Sequence, residues 1–261
     1  MSLTIYNRTH TNRMILGTAL YANLDVMLKA INAAETEMVT VSLKRQSTKG
    51  GKDNKFWDAI KNTGCDVLPN TAGCRTSKEA VLIAEMGREI FNTSLVKLEV
   101  IGDDYTLQPN LFELVKATET LLAKGFHVLP YCTDDLTICS ELVSLGCKVL
   151  MPLGSHIGSG QGLQNPYALK ILRERYPELT LIIDAGLGTP SDAVQAMELG
   201  YDGILLNSAV ALANFPDKMA KAFQWATLAG RLAFEAKRMP KRDFAQNSTP
   251  LSDTPFWHQH E

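Results

Sequence analysis

Three features are scarce in this 261-residue chain, and each scarcity excludes a class of protein. No uninterrupted apolar run approaches the roughly 20 residues needed to cross a bilayer. Residues 1–13 are polar and mixed and lack the apolar core of a signal peptide. A soluble cytoplasmic protein with no membrane partner is expected. An excess of one charge is also missing, with 26 Lys and Arg against 28 Asp and Glu and a net charge of −2. Nucleic acids and anionic membranes require a concentrated basic face, so neither is expected as the main partner. Cysteine is sparse: the five, at 65, 74, 132, 139 and 147, are odd in number and show no paired short spacing of the zinc or redox type. They fall mostly in apolar patterns, which predicts buried, reduced thiols.

What remains is an ordinary globular composition, 45% hydrophobic and 21% charged, able to bury a sizeable core. Length alone allows one domain or two, so the order of elements must decide. Eight short runs rich in Val, Ile and Leu, at 14–16, 38–43, 65–68, 95–100, 126–129, 147–151, 179–183 and 203–206, alternate with helical patterns. Thr133 and Asp134 introduce a helix over 136–145, with Leu142 and Leu145 toward the sheet and Gly146 as a terminator able to take positive φ. Thr189-Pro190-Ser191-Asp192 combines a cap hydroxyl, a proline in the first turn and an acid beside it, and Gly200 closes that helix. A last helix from about Pro216 places Met219, Ala222, Phe223 and Ala226 on one face.

Eight strands alternating with eight helices predict an α/β fold, a parallel (β/α)8 TIM barrel over residues 1–240, with a doubly wound open sheet as the alternative. Residues 241–261 read as a polar, flexible tail in which Phe256-Trp257 is the exception, a pair able to dock on the barrel or on a neighbouring subunit.

In a barrel, function collects at the carboxyl ends of the strands. On the fourth run, Val96, Leu98 and Val100 face the helices, so alternation sends Lys97 and Glu99 inward, about 6.6 Å apart along the strand. Burial disfavours an ammonium and makes a neutral amine available to attack a carbonyl, while a nearby carboxylate pulls the other way. A buried Lys-Glu ion pair without chemistry explains the same spacing. Asp184, ending the seventh run, would face both across the mouth as an acid or base; a loop-stabilising Asx turn is the other reading.

Glycine-rich loops follow the last three runs: GSHIGSGQG at 154–162, Gly186 and Gly188 after the seventh, and Asn207-Ser208 after the eighth. Such loops let backbone amides approach an anion, so a phosphate-bearing substrate is expected. His156 reads as a surface loop histidine without a role. The basic segment 44–56 is either a lid, a contact for an acidic partner or a solvated loop. The loop from Asn70 to Arg75 lies on the functional face, and Cys74 within it reads as inert.

Taken together, LPNTAGCRT at 68–76, VKLEVIGDD at 96–104, MPLGSHIGSGQGLQNPY at 151–167, DAGLGTPSDA at 184–193 and AMELGYDGILLNSAVA at 196–211 resemble bacterial thiazole synthase. The similarity extends from about Ile15 through the last barrel helix. It implies formation of the thiazole phosphate moiety of thiamin from 1-deoxy-D-xylulose 5-phosphate, a glycine imine and the C-terminal thiocarboxylate of a small ubiquitin-like sulfur carrier protein. No metal and no organic cofactor is implied. The resemblance assigns the sugar imine to Lys97, proton transfer to Glu99 and Asp184, and the sugar phosphate to Gly158, Ala185, Gly186, Asn207 and Ser208. A homo-oligomer, dimer or tetramer, is also implied. A longer, more lysine-rich loop after the second run and an extended tail depart from the pattern. They leave the chemistry intact but bear on carrier docking and on subunit contacts. Two rivals remain: a lysine-imine aldolase using the same Lys97, and a non-catalytic phosphosugar-binding protein in which Lys97 is only an ion-pair partner.

Overall fold

The computed structural model describes residues 2–46, 55–246 and 248. It opens on a short antiparallel hairpin, β1 (Leu3–Ile5) and β2 (Arg8–His10). Eight parallel strands then follow: β3 (Met14–Gly17), β4 (Met38–Ser42), β5 (Asp66–Asn70), β6 (Leu95–Leu98), β7 (His127–Cys132), β8 (Val149–Pro152), β9 (Thr180–Asp184) and β10 (Gly203–Leu206). They pair in chain order, and β10 returns to β3 to close the barrel, which excludes the open-sheet alternative. Each expected run overlaps one of these strands, several of which continue one to three residues further toward the carboxyl end.

Between them run α1 (Leu24–Ala34), α2 (Leu43–Gln46) and α3 (Lys55–Asn62), α4 (Ser77–Phe91), α5 (Leu111–Ala123), α6 (Leu136–Ser144), α7 (Pro166–Arg175) and α8 (Pro190–Glu198). After β10 come α9 (Ser208–Ala211) and α10 (Pro216–Ala236). The starts are set by capping chemistry: Asn23, Thr76, Asn110, Asp135 and Asn165 each accept a first-turn backbone N–H. Thus α6 is capped by Asp135, one residue past the expected Thr133-Asp134, because only its carboxylate reaches the N–H groups of Thr137 and Ile138. Leu142 is fully buried, but Leu145 is only half-buried, since it falls at the C-cap where the helix leaves the sheet. At α8, Thr189 is the N-cap and Asp192 accepts from the N–H groups of Gly188 and Thr189.

The packed face of α10 also differs from expectation. Ala220, Phe223, Ala226, Thr227 and Gly230 are buried, while Met219 and Ala222 are only half-buried. The helix turns its small residues inward because α8 lies close: a Cβ on Gly230 would stand 2.7 Å from the Val194 carbonyl oxygen and 2.8 Å from Met197 Cβ.

Two apolar layers result. The outer one, between strands and helices, takes Val96, Leu98 and Val100, as alternation requires. The inner one fills the barrel with Ile15, Met38, Leu68, Leu95, Leu129 and Ile182. Leu3, Ile5 and Tyr6 join that inner layer, so the hairpin stoppers the amino-terminal end of the barrel. Tyr6 stacks on His127 at 4.3 Å and donates to the Val128 carbonyl at 2.8 Å, and Arg8 and His10 both engage Asp66. The sequence reading placed no element in residues 1–13; the structure puts a plug there. Most of the basic segment 44–56, and the Phe256-Trp257 pair, lie outside the described residues.

Candidate active site

The inward columns of the barrel change character at their carboxyl ends. Two residues above apolar Leu68, Leu95, Leu129, Ile182 and Leu205 stand Asn70, Lys97, Tyr131, Asp184 and Asn207. These residues surround or underlie a cavity of about 610 Å³, a size suited to a small phosphorylated metabolite.

Lys97 stands at its floor with only 4% of its surface exposed. Its Nζ lies 2.6 Å from Asp184 Oδ2 and 3.8 Å from Glu99 Oε2. The roughly 6.6 Å expected along the strand is a backbone step; the side-chain ends come closer than that, and Lys97 also reaches across to Asp184 at the end of β9. Glu99 is fixed from behind: the Thr71 hydroxyl donates to its carbonyl and accepts from its N–H, both at 2.8 Å. Asp184 is 1% exposed; burial pushes its carboxyl pKa up, and the Lys97 ammonium opposes that shift in part. The Tyr131 ring lies beneath the pair, its centroid 5.6 Å from Lys97 Nζ, and its buried hydroxyl has no hydrogen-bond partner among the described residues. Burial, then the carboxylates of Asp184 and Glu99, raise that phenol's pKa.

One rim is built almost wholly from backbone. Ala185 and Gly186 both take positive φ, 69° and 78°, turning the chain sharply after Asp184. A Cβ on Gly186 would stand 2.5 Å from the Ser155 nitrogen, and one on Gly188 would overlap Gly160, so glycine lets the β8 and β9 loops interlock. The lock is hydrogen-bonded: Gly154 N–H donates to Asp184 O at 3.3 Å and Gly162 N–H to Gly186 O at 2.9 Å. Asn207 and Ser208 begin α9 beside these loops, and a Cβ on Gly17 would collide with the Asn207 side chain.

Lys97, Glu99 and Asp184, with Gly158, Ala185, Gly186, Gly188, Asn207 and Ser208, all line this cavity. So do Asn70, Gly73 and Arg75 from the loop after β5. His156 is not among the lining residues and pairs with Gln108 at 3.0 Å. Cys74 is fully buried with its thiol pKa pushed up to about 12 by that burial, which agrees with the inert reading. All five cysteines are free; Cys65 is half-buried and the others buried. The sequence reading missed Tyr131, which sits inside the apolar stretch HVLPYC and reads there as a core aromatic, and Ser42, the last residue of β4, which also lines the cavity.

Fold and site together define a (β/α)8 barrel with a buried lysine–carboxylate centre under a glycine-built rim. The sequence matches the family described as "Thiazole biosynthesis protein ThiG" over residues 4–250. It is 52% identical to the thiazole synthase of Bradyrhizobium sp. (strain BTAi1 / ATCC BAA-1182) over 255 residues, covering 98% of each chain. It is 51% identical to that of Neisseria meningitidis serogroup C / serotype 2a (strain FAM18), covering 99% of each. Among solved structures, a chain of the Amycolatopsis orientalis BexX/CysO complex is similar at a TM-score of 0.83 and 28% identity, covering 92% of this chain and 98% of that one. A structure described as native KDPGal, at a TM-score of 0.58 and 18% identity, shares the fold alone. The chain belongs to the thiazole synthase family and is an enzyme of thiamin thiazole synthesis. No helix among the described residues is long and apolar enough to cross a membrane.

Proposed function

We propose that the enzyme builds the thiazole phosphate from 1-deoxy-D-xylulose 5-phosphate, a glycine imine and a carrier thiocarboxylate, through an imine between Lys97 and the sugar ketone. The observation that carries this reading is the 2.6 Å approach of Lys97 Nζ to a fully buried carboxylate, Asp184, on the floor of the cavity. A buried carboxylate whose pKa is raised accepts the ammonium proton of its partner more readily than an exposed one. The neutral amine then adds to the ketone carbon, and Asp184 returns its proton to the carbinolamine hydroxyl, which leaves as water to give the iminium and restore the carboxylate.

An iminium acidifies the adjacent C–H bond. Asp184 and Glu99, 2.6 and 3.8 Å from the lysine nitrogen, are placed to remove a proton there and return one elsewhere. Repeating that exchange moves the carbonyl along the sugar before sulfur and the glycine imine are joined into the ring. Opposite Lys97, the rim formed by Gly158, Ala185, Gly186, Gly188, Asn207 and Ser208 provides close backbone approach for the phosphate. None of these steps requires a metal or an organic cofactor.

A small ubiquitin-like sulfur carrier is the proposed partner; the similar solved chain was obtained in a BexX/CysO complex, so this architecture accepts a second protein. A homo-oligomer, dimer or tetramer, is proposed from the α10 surface, where Trp225, Leu228 and Leu232 form an exposed apolar stripe.

The test is borohydride reduction in the presence of 1-deoxy-D-xylulose 5-phosphate, followed by peptide mass spectrometry. A reduced adduct on Lys97 is expected. Sugar phosphate binding without any adduct, with or without the carrier protein, would sink the imine mechanism and return Lys97 to an ion-pair role. Cleavage of the sugar to smaller fragments would favour the aldolase chemistry instead.

A further inference from the structure

Most polar groups on the wall formed by β4 and β5 are satisfied within the protein. Thr40 donates to the Leu68 carbonyl at 3.0 Å, Thr18 donates to the Thr40 carbonyl at 2.9 Å, and Thr71 is bonded twice to the Glu99 backbone. Two atoms on that wall are exceptions. Ser42 Oγ and Asn70 Oδ1 are both buried and have no hydrogen-bond partner among the described residues. Leaving a buried acceptor or hydroxyl unpaired is unfavourable, so its retention at a cavity surface points to a ligand that pairs it.

Their placement is specific. Ser42 is the register partner of Asn70, and Asn70 is the register partner of Lys97. The three therefore form one backbone row across β4, β5 and β6, spaced by about 4.8 Å per strand. Ser42 and Asn70 both line the cavity, and Asn70 is 9% exposed. Lys97 is on the fourth barrel strand and Ser208 follows the eighth, so a ligand joining them crosses the diameter of the mouth. Its middle then passes between Asp184 on one side and Asn70 and Ser42 on the other.

We propose that Asn70 and Ser42 are the specificity-determining pair for the middle of the phosphosugar. They hydrogen-bond the two hydroxyl groups between the ketone fixed at Lys97 and the phosphate fixed at the glycine rim. The inference rests on the imine reading above for the direction in which the sugar lies. Asn70, one strand from Lys97, takes the hydroxyl next to the ketone carbon; Ser42, one strand further, takes the next. A hydroxyl both donates and accepts, so it satisfies an amide oxygen and a serine hydroxyl equally well. The pair would reject phosphorylated ketones of the same length that lack these hydroxyls, because such ligands leave the two atoms desolvated and unpaired.

The test compares 1-deoxy-D-xylulose 5-phosphate with 5-phosphooxy-2-pentanone, the same chain without the two hydroxyls. Affinities for both are measured calorimetrically on Lys97→Ala, which cannot form an imine, and borohydride trapping of both is measured on the natural sequence. The hydroxylated ligand is expected to bind at least about tenfold more tightly, and adding Asn70→Leu should bring that ratio toward one. Ser42→Ala should lower the ratio by about threefold and carries the test alone if Asn70→Leu fails to fold. A ratio unchanged by either substitution overturns the proposal, as does an equal loss for both ligands. An Asn70-dependent ratio without any adduct on Lys97 would keep the subsite and sink the imine; an adduct with an unaltered ratio would do the reverse.

Discussion

The two ends of this barrel are made by the same strands, one pleat apart, and they are chemical opposites. At the lower end Leu68, Leu95, Leu129 and Ile182 interlock with Leu3 and Ile5 of the hairpin. Two residues further on, Asn70, Lys97, Tyr131 and Asp184 gather at the cavity that forms the mouth. Inside the barrel the lower end is apolar packing; the upper end holds buried charge and unpaired polar atoms that cost stability. The same strands form both ends, so the apolar packing of the base offsets part of the cost of the polar mouth.

Substitutions at each end should separate these roles. The largest effect is expected from Lys97→Ala, with complete loss of trappable adduct and of thiazole formation while circular dichroism shows an intact barrel. An unfolded variant would mean that the lysine is structural. Next, Ile5→Ala should cost about 2–5 kcal/mol in denaturant unfolding, the usual range for emptying a fully buried aliphatic site, with kcat per folded molecule unchanged. A fall in kcat at full folding would show that base and mouth are coupled.

Gly186→Ala places a Cβ on the Ser155 side chain at a φ of 78°. It should weaken inorganic phosphate binding by about tenfold or more and cost about 1–3 kcal/mol of stability. Unaltered phosphate affinity would remove the β9 loop from the phosphate site. The smallest effect is expected from Tyr131→Phe: deleting a buried hydroxyl with no partner among the described residues should raise stability by about 1 kcal/mol. A loss of stability instead would reveal a bridging water.

The eight barrel strands were legible because each is buried on both faces and reads as a short apolar run. Lys97 and Glu99 were legible because they break such a run at inward positions, and Asp184 because it ends one. The hairpin was not, since strands of three residues, LTI and RTH, are too short to show a period. Ser42 escaped notice for a different reason: its alignment with Asn70 and Lys97 is set by strand register, which barrel closure fixes and no local pattern encodes. Tyr131 is compatible with either layer until the strand's neighbours are known.

The stoppered base also governs traffic. With Leu3 and Ile5 filling the lower end, whatever reaches Lys97 arrives over the upper rim, and whatever is made there leaves by the same way. Such a vessel loads like a stack: the molecule that must touch the floor goes in first and comes out last. On the proposed chemistry the phosphosugar therefore precedes the carrier's tail, and the finished ring waits beneath that tail until it withdraws. Shape alone would then impose an order of addition, before any difference in affinity acts.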